Sequence, residues 1–259
     1  MFLIKVANEN QEIYENGHYM KSGNKVEIKE MIEKSIEGTE YFEDITLTMP
    51  RVKNYNVFKV SDAIQNIGTM DCAIRLRNQG EEGNIIALNF ASATRIGGGY
   101  LTGSTSQEES LCRASMLYQT LLKHEEFYKK HKANYTPLYS DRMIYSPGVP
   151  VVRNDNGDLL DKPLTCSFIT SAAVNKKKIS VLDKNYKNIE SVMDERIKKI
   201  ILLALSKNPS VIILGAFGCG AFGNDRDTIY RLFEKHINAL VPIDKIKVIF
   251  AVRKNVSKR

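Results

Sequence analysis

Two adjacent carboxylates, Glu108 and Glu109, close the stretch RIGGGYLTGSTSQEES that spans residues 95–110. Paired carboxyls can do general acid–base work, one giving a proton while its neighbour stays ionised. Ahead of them stand Gly97, Gly98 and Gly99, a run that gives up much backbone entropy on folding, so something requires a bare main chain just before the acids. A second glycine-rich stretch, GAFGCGAFGND, carries Gly215, Gly218, Gly220 and Gly223. Glycine lets N–H groups converge on a ligand and a helix N-terminus adds roughly half a positive charge, so each stretch suits an anion such as a diphosphate. Neither is a Walker A loop or a dinucleotide fingerprint. The acids also fit a plainer role. Ser106 to Glu109 matches an S-x-x-E capping box, in which Glu109 would reach back to the Ser106 N–H. That box leaves the triple glycine unexplained.

Elements must hold these residues in place. The sequence predicts strand and helix in turn: NVFKV then a helix at DAIQNI, NIIALNF then a glycine loop and a helix over 107–124, the consecutive strands MIYSPGVPVV and CSFITSAAV around the turn DNGD, a helix over 188–206, VIILGAF, a helix over 227–240, and a last strand IKVIFAV. NIIALNF and VIILGAF lack a period of two, as central strands covered on both faces do. The expectation is a three-layer α/β/α sandwich with a mixed sheet, whose ligand loops lie beyond the carboxyl ends of the strands. Residues 1–48 read as an N-terminal helical extension, two amphipathic pieces around the turn KSGNK, and residues 49–259 as the catalytic domain.

Thirty-seven Lys and Arg against thirty Asp and Glu leave a formal charge of +7, which favours anionic or phosphorylated partners. The basic clusters Lys176-Lys177-Lys178 and RKNVSKR lack interleaved aromatics, so no direct nucleic-acid partner is expected. The four cysteines, Cys72, Cys112, Cys166 and Cys219, have no zinc-like spacing and read as reduced thiols of a cytoplasmic protein. No secretory signal and no run of eighteen apolar residues is present, so no membrane association is expected. The four histidines are isolated, and neither a metal nor a cofactor is expected.

GGG, seven residues, then QEE resembles the signature of poly(ADP-ribose) glycohydrolases. NFASATRIGGGYLTGSTSQEESL, YSDRMIYSPGVPVVRNDNGDLL, ITSAAVN and LGAFGCGAFGND resemble the microbial-type branch in the same order. The resemblance implies a macrodomain fold and hydrolysis of ribose–ribose O-glycosidic bonds from the terminus inward, with ADP-ribose, its polymer or ADP-ribosylated protein as substrate; a monomer is expected. Position by position, it makes Glu109 the catalytic acid and Glu108 the holder of ribose hydroxyls, with Gln107 part of the same signature. Asn89 would line the ribose side of the pocket. Gly97, Gly98 and Gly99 would press against the diphosphate and scissile ribose. In the second loop, which runs from Gly215 to Gly223, Gly218, Cys219, Gly220 and Ala221 would cradle the diphosphate and Phe222 would pack on the terminal unit. Asp62 stands where macrodomains often place an adenine-contacting acid, though SDAIQ departs from that pattern. The acids suffice for an oxocarbenium-like transition state, with Glu109 taking up its proton mainly under a bound ribose. The same cleft would also serve a mono-ADP-ribosyl hydrolase acting on arginine-linked protein, or a non-catalytic ADP-ribose reader; the intact QEE argues against the reader.

Overall fold

A computed structural model of the chain describes residues 2–253. It opens with α1 (Phe2–Asn16), the hairpin strands β1 (His18–Lys21) and β2 (Asn24–Glu27), α2 (Lys29–Glu37) and β3 (Glu40–Phe42). An irregular passage leads to the short α3 (Val60–Ala63), β4 (Ile64–Gln65) and α4 (Thr69–Asn78). Next come β5 (Asn84–Phe90), α5 (Gln107–Ala114), α6 (Leu117–Leu122), α7 (Glu125–Ala133) and the long hairpin of β6 (Met143–Arg153) and β7 (Leu159–Ser171). The chain continues with α8 (Ile189–Ser206), β8 (Pro209–Leu214), α9 (Arg226–Leu240) and β9 (Lys247–Ala251). Residues 254–259 of the basic tail RKNVSKR lie outside the described residues.

Seven strands make one mixed sheet in the order β3-β6-β7-β5-β8-β9-β4. The β3–β6 and β6–β7 pairs are antiparallel and the rest parallel. Alternate side chains of β5 enter opposite layers: Ile85 and Ala87 pack with Met70, Leu111 and Leu117, while Ile86 and Leu88 pack with Ile197, Ile201 and Phe233. β8 does the same with Val211 and Ile213 against Ile212 and Leu214. Both faces are apolar because both are covered, which gives the three expected layers.

Some local expectations change. KSGNK is the tip of a hairpin, with Ser22 and Gly23 both at positive φ (52° and 81°), the backbone that a two-residue hairpin turn requires. NVFKV is not a strand: Phe58 donates its N–H to Asn238 Oδ1 at 2.8 Å and accepts from Asn238 Nδ2 at 3.0 Å, so an α9 side chain satisfies its main chain instead of a neighbouring strand. DAIQNI spans the end of α3 and the two-residue β4, and the longer helix of this region is α4. The predicted helix over 107–124 breaks between α5 and α6, where the Met116 N–H donates to Pro150 O at 2.9 Å and Ser115 bridges Val151.

The first forty-odd residues are built into the sandwich. β3 forms one edge of the main sheet. Asn10 Nδ2 donates to Arg113 O at 2.8 Å, and Arg153 reaches Asn10 Oδ1 at 2.9 Å and Glu9 at 2.8 Å. Removing residues 1–47 would strip these partners and uncover the core around Met116, Leu121 and Val149, which packs with Ile13, Ile28 and Ile32. Several kcal/mol should be lost, enough to lower Tm by roughly 10 °C or more or to leave the chain aggregated. A truncated chain that melts with the full-length protein would refute this.

Candidate active site

β5 and β8 are hydrogen-bonded parallel neighbours, yet their following segments part company. The chain after β5 turns into α5, in the layer of Leu111 and Cys112, whereas the chain after β8 turns into α9, in the opposite layer with Leu232 and Phe233. Divergence at the carboxyl edge of a sheet opens a crevice. The cleft here measures about 640 Å³ and is lined by Gln107, Glu108 and Glu109 from one loop and by Gly218, Cys219, Gly220, Ala221 and Phe222 from the other. Its size suits a small-molecule ligand.

Gln107 fastens the start of α5 to the end of β5. Its Oε1 accepts from the Phe90 N–H at 2.9 Å and its Nε2 donates to Leu88 O at 2.8 Å, continuing the ladder with a side chain. Glu108, 2 % exposed, is held from behind: Asn89 Nδ2 donates to its Oε1 at 3.2 Å and the Ser92 N–H to its Oε2 at 2.8 Å. Asn89 itself is fully buried and also donates to Thr170 Oγ1 at 3.1 Å, so it orients Glu108 and does not line the cleft. The capping box does not form. The Ser106 side chain caps nothing, and Glu109 Oε1 accepts from the Gly99 N–H at 2.8 Å. Glu109 Oε2 is buried with no hydrogen-bond partner, a state that needs a reason in a native protein.

The triple glycine lies behind the carboxyls. At φ +60°, Gly98 faces both acids: a Cβ there would stand 2.5 Å from Glu109 Oε1 and 3.0 Å from Glu108 Oε2. Gly97 abuts the Tyr118 ring in the same way. Gly97, Gly98 and Gly99 are thus brought to the acids but not to the lining of the cleft, and the same holds for Gly215, packed under Phe90, and Gly223, covered by Lys177. In the second loop Gly218, at φ +73°, leaves no room for a side chain between Ala173 and Asn224, each 2.5 Å from where a Cβ would sit. Asn224 Nδ2 ties that loop down through Val174 O at 2.8 Å and Gly218 O at 3.1 Å. Phe222 is half-buried with its ring 5.9 Å from that of Tyr139.

Sequence reasoning missed several cleft residues. Ser92 contributes a backbone N–H, which any residue type would supply, so no signal existed. Asp155, in the turn DNGD, swings across the sheet edge onto the start of α4: its N–H donates to Asp71 Oδ1 at 2.9 Å and its carboxylate pairs with Arg253 at 2.8 Å. Asp155 and Arg253 both line the cleft. Asp62 is exposed, with Ser61 donating to it at 3.0 Å. Among the described residues no group of three or more His, Cys, Asp or Glu side chains is arranged to hold a metal ion, and no helix is long and apolar enough to cross a membrane.

Burial pushes the Glu108 carboxyl up to about 8, opposed by the N–H donors of Ser92 and Asn89 and reinforced by the Glu109 charge. Burial likewise raises the neighbouring Cys112 thiol and Tyr128 phenol. Because the ordinary value for Glu108 is 4.5, the folded protein binds an extra proton between there and about 8. The stability this group contributes is therefore full below that window and lost as pH rises through about 8. Glu108→Gln, neutral throughout, should gain on the wild type by up to a few kcal/mol between about pH 5 and pH 8.5. Parallel stability curves for the two proteins across that range would contradict the assignment.

Fold and cleft together define a macrodomain-like α/β/α protein that presents a carboxyl pair at a helix start. The model of the microbial-type poly(ADP-ribose) glycohydrolase catalytic domain matches residues 7–154. Two solved structures of the poly(ADP-ribose) glycohydrolase of Thermomonospora curvata, with and without the inhibitor ADP-HPD, are 32% identical to this chain and superpose with TM-scores of 0.84 and 0.85; each likeness covers 99% of this chain and 95% of that one. The Deinococcus radiodurans enzyme in complex with ADP-ribose is 29% identical with a TM-score of 0.74, over 86% of this chain and 91% of that one. Among curated proteins none matches significantly. The chain belongs to the microbial-type poly(ADP-ribose) glycohydrolase family and is an enzyme of that family.

Proposed function

We propose that the chain cleaves the ribose–ribose O-glycosidic bonds of poly(ADP-ribose) from the terminus inward, releasing ADP-ribose, with Glu109 as general acid and then general base. The observation that carries this is the state of Glu109: one oxygen is fixed by the Gly99 N–H and the other is buried and unpartnered, on a side chain that lines the cleft. A rigidly held carboxyl with one uncommitted oxygen is what proton transfer to a bound glycosidic oxygen needs. Ribose hydroxyls donating to Glu108 would favour its carboxylate, release the proton that burial keeps there, and leave an anion beside the oxocarbenium-like centre. Glu109 protonates the departing oxygen as the C–O bond breaks. It then takes a proton from the water that attacks the anomeric carbon.

The remaining roles follow the same reading. Gln107 and Asn89 position the acids, Gly98 leaves the two carboxyls room from behind, and Gly218, Cys219, Gly220 and Ala221 of the second loop take the diphosphate with Phe222 against the terminal unit. Related enzymes were solved with ADP-HPD and with ADP-ribose bound, which supports a ligand of this class for the chain. Residues 1–48 serve as an extension that braces the catalytic region 49–259. Four free thiols support a reducing, cytoplasmic setting, and the chain acts as a monomer. The test incubates the protein with poly(ADP-ribose) and, separately, with arginine-ADP-ribosylated protein, and measures free ADP-ribose. Release from the polymer is expected. Release from the arginine linkage alone would assign a mono-ADP-ribosyl hydrolase, and tight ADP-ribose binding without release a reader.

A further inference from the structure

The lysine run that follows β7 lacks aromatic neighbours in the sequence, but the fold supplies them from elsewhere. Lys178 Nζ stands 5.6 Å from the centre of the Tyr135 ring and Lys176 Nζ 5.9 Å from that of Tyr186. Between residues 176 and 188 lie five lysines, Lys176, Lys177, Lys178, Lys184 and Lys187, against one acid, Asp183. Asp225 Oδ1 accepts from the Thr228 N–H and lies within reach of the Lys176 charge, so it offsets one more, and the surplus stays positive. The run is fastened to the cleft: the Lys177 N–H donates to Phe222 O at 3.1 Å and its side chain covers Gly223. Phe222 lines the cleft. From its ring an aromatic file leads outward, 5.9 Å to Tyr139 and another 6.2 Å to Tyr135, which is half exposed. Tyr139 sits at φ +54°, a backbone that a bulky residue adopts only where its surroundings impose it. Successive aromatic rings beside a row of cations are the arrangement that takes a flexible polyanion carrying bases.

We propose that this bank of Tyr135, Tyr139, Lys176 and Lys178 holds the stretch of poly(ADP-ribose) that extends beyond the unit in the cleft. This rests on the reading of the cleft as a poly(ADP-ribose) site, with the ribose at Glu109 and the diphosphate at the loop after β8. The sheet order shows which way the polymer leaves. β5 lies between β7 and β8, and the acids stand on its β7 side, because Asn89 donates both to Glu108 and to Thr170 of β7. In the opposite direction, past β8, the cleft continues between Ile67 and Gly68 after β4 and Ala251, Val252 and Arg253 at the end of β9. That arm has room for the rest of the unit, the nucleoside joined to its diphosphate. The bond from the ribose to the next unit therefore opens toward β7. The bank lies on that side: the lysine run follows the end of β7, and Tyr139 precedes β6, the antiparallel partner of β7. Phe222 belongs to the cleft and to the aromatic file alike, so the two surfaces join.

The experiment measures binding in the Glu109→Gln background, which leaves the polymer uncut, with long poly(ADP-ribose) chains and with ADP-ribose alone. Lys176→Ala/Lys178→Ala should weaken polymer binding about five-fold or more and flatten its salt dependence, while ADP-ribose affinity stays within about two-fold of the parent. Tyr135→Ala should also weaken the polymer about five-fold or more and spare ADP-ribose, but with the salt dependence of the parent, because a stacking face is lost and no charge is. Equal weakening of both ligands, or unchanged polymer affinity in both variants, would overturn the bank while leaving the reading of the cleft intact. A single-stranded oligonucleotide of equal charge should bind at least about ten-fold more weakly than the polymer, since it has no terminal unit for the cleft. Equal affinity for the two would make the bank a general polyanion surface and overturn the proposal. A Glu109→Gln protein that still shortens the polymer, or that fails to bind ADP-ribose, would overturn the reading of the cleft on which the bank depends.

Discussion

Glu109→Gln should abolish turnover, lowering kcat on poly(ADP-ribose) by at least about 100-fold, while the dissociation constant for ADP-ribose stays within a few-fold of wild type. The amide is a close structural replacement at this site. Its oxygen can still accept from the Gly99 N–H, and its nitrogen takes the place of Oε2, which has no protein partner to lose. What disappears is the acidic proton, so the loss should fall on kcat and leave binding alone. Calorimetric titration with ADP-ribose beside a turnover assay measures both. A variant retaining more than about a hundredth of wild-type kcat would remove Glu109 from the chemistry, since that is the low end of what acid–base catalysis contributes.

The second large effect is expected at a residue that carries no chemistry. Gly98→Ala would set a methyl group 2.5 Å from Glu109 Oε1 and 3.1 Å from its Cδ, closer than van der Waals contact allows. Either the carboxyl or the loop must shift, and either movement disturbs the Gly99 N–H bond that holds Glu109 Oε1. A misplacement of about 1 Å at a catalytic group costs on the order of 100-fold in rate, and we expect a loss of that size. The backbone adds its own penalty of about 1 to 2 kcal/mol, because Gly98 has φ +60°, where L-residues are strained. Gly80→Ala separates the two effects. Gly80 also has positive φ, +89°, but has open space around it, so that variant should lose stability and keep its activity. If both alanine variants were equally active, the triple glycine would have no part in setting the acid.

Much of the central architecture could be read from residue order alone. NIIALNF and VIILGAF are too uniformly apolar for a surface strand; NIIALNF is β5 and the VIIL of VIILGAF ends β8, each feeding alternate side chains into two separate cores. The loops after them are rich in glycine for reasons that hold in three dimensions, although the space cleared by Gly98 serves the acids first. The errors share one cause. NVFKV has strand propensity, yet its main chain is satisfied by Asn238, which lies 180 positions away at Phe58. The stretch after Gln107 has no glycine or proline to stop a helix, yet it breaks at Ser115 and Met116 because β6 offers partners there. Tertiary hydrogen bonds override local preference wherever a distant group can satisfy the backbone.

What the chain's order of residues determined by itself is the list of chemical parts: an acid pair at a helix start and two bare loops after buried strands. Only the tertiary structure decided how those parts divide the work. It placed Asn89 and the Ser92 N–H behind Glu108, left one oxygen of Glu109 uncommitted, and swung Asp155 from a distant turn into the cleft. The reason is physical. Residue types fix which bonds a group can make, whereas proton affinity and reach depend on burial and on neighbours that the fold brings from far along the chain.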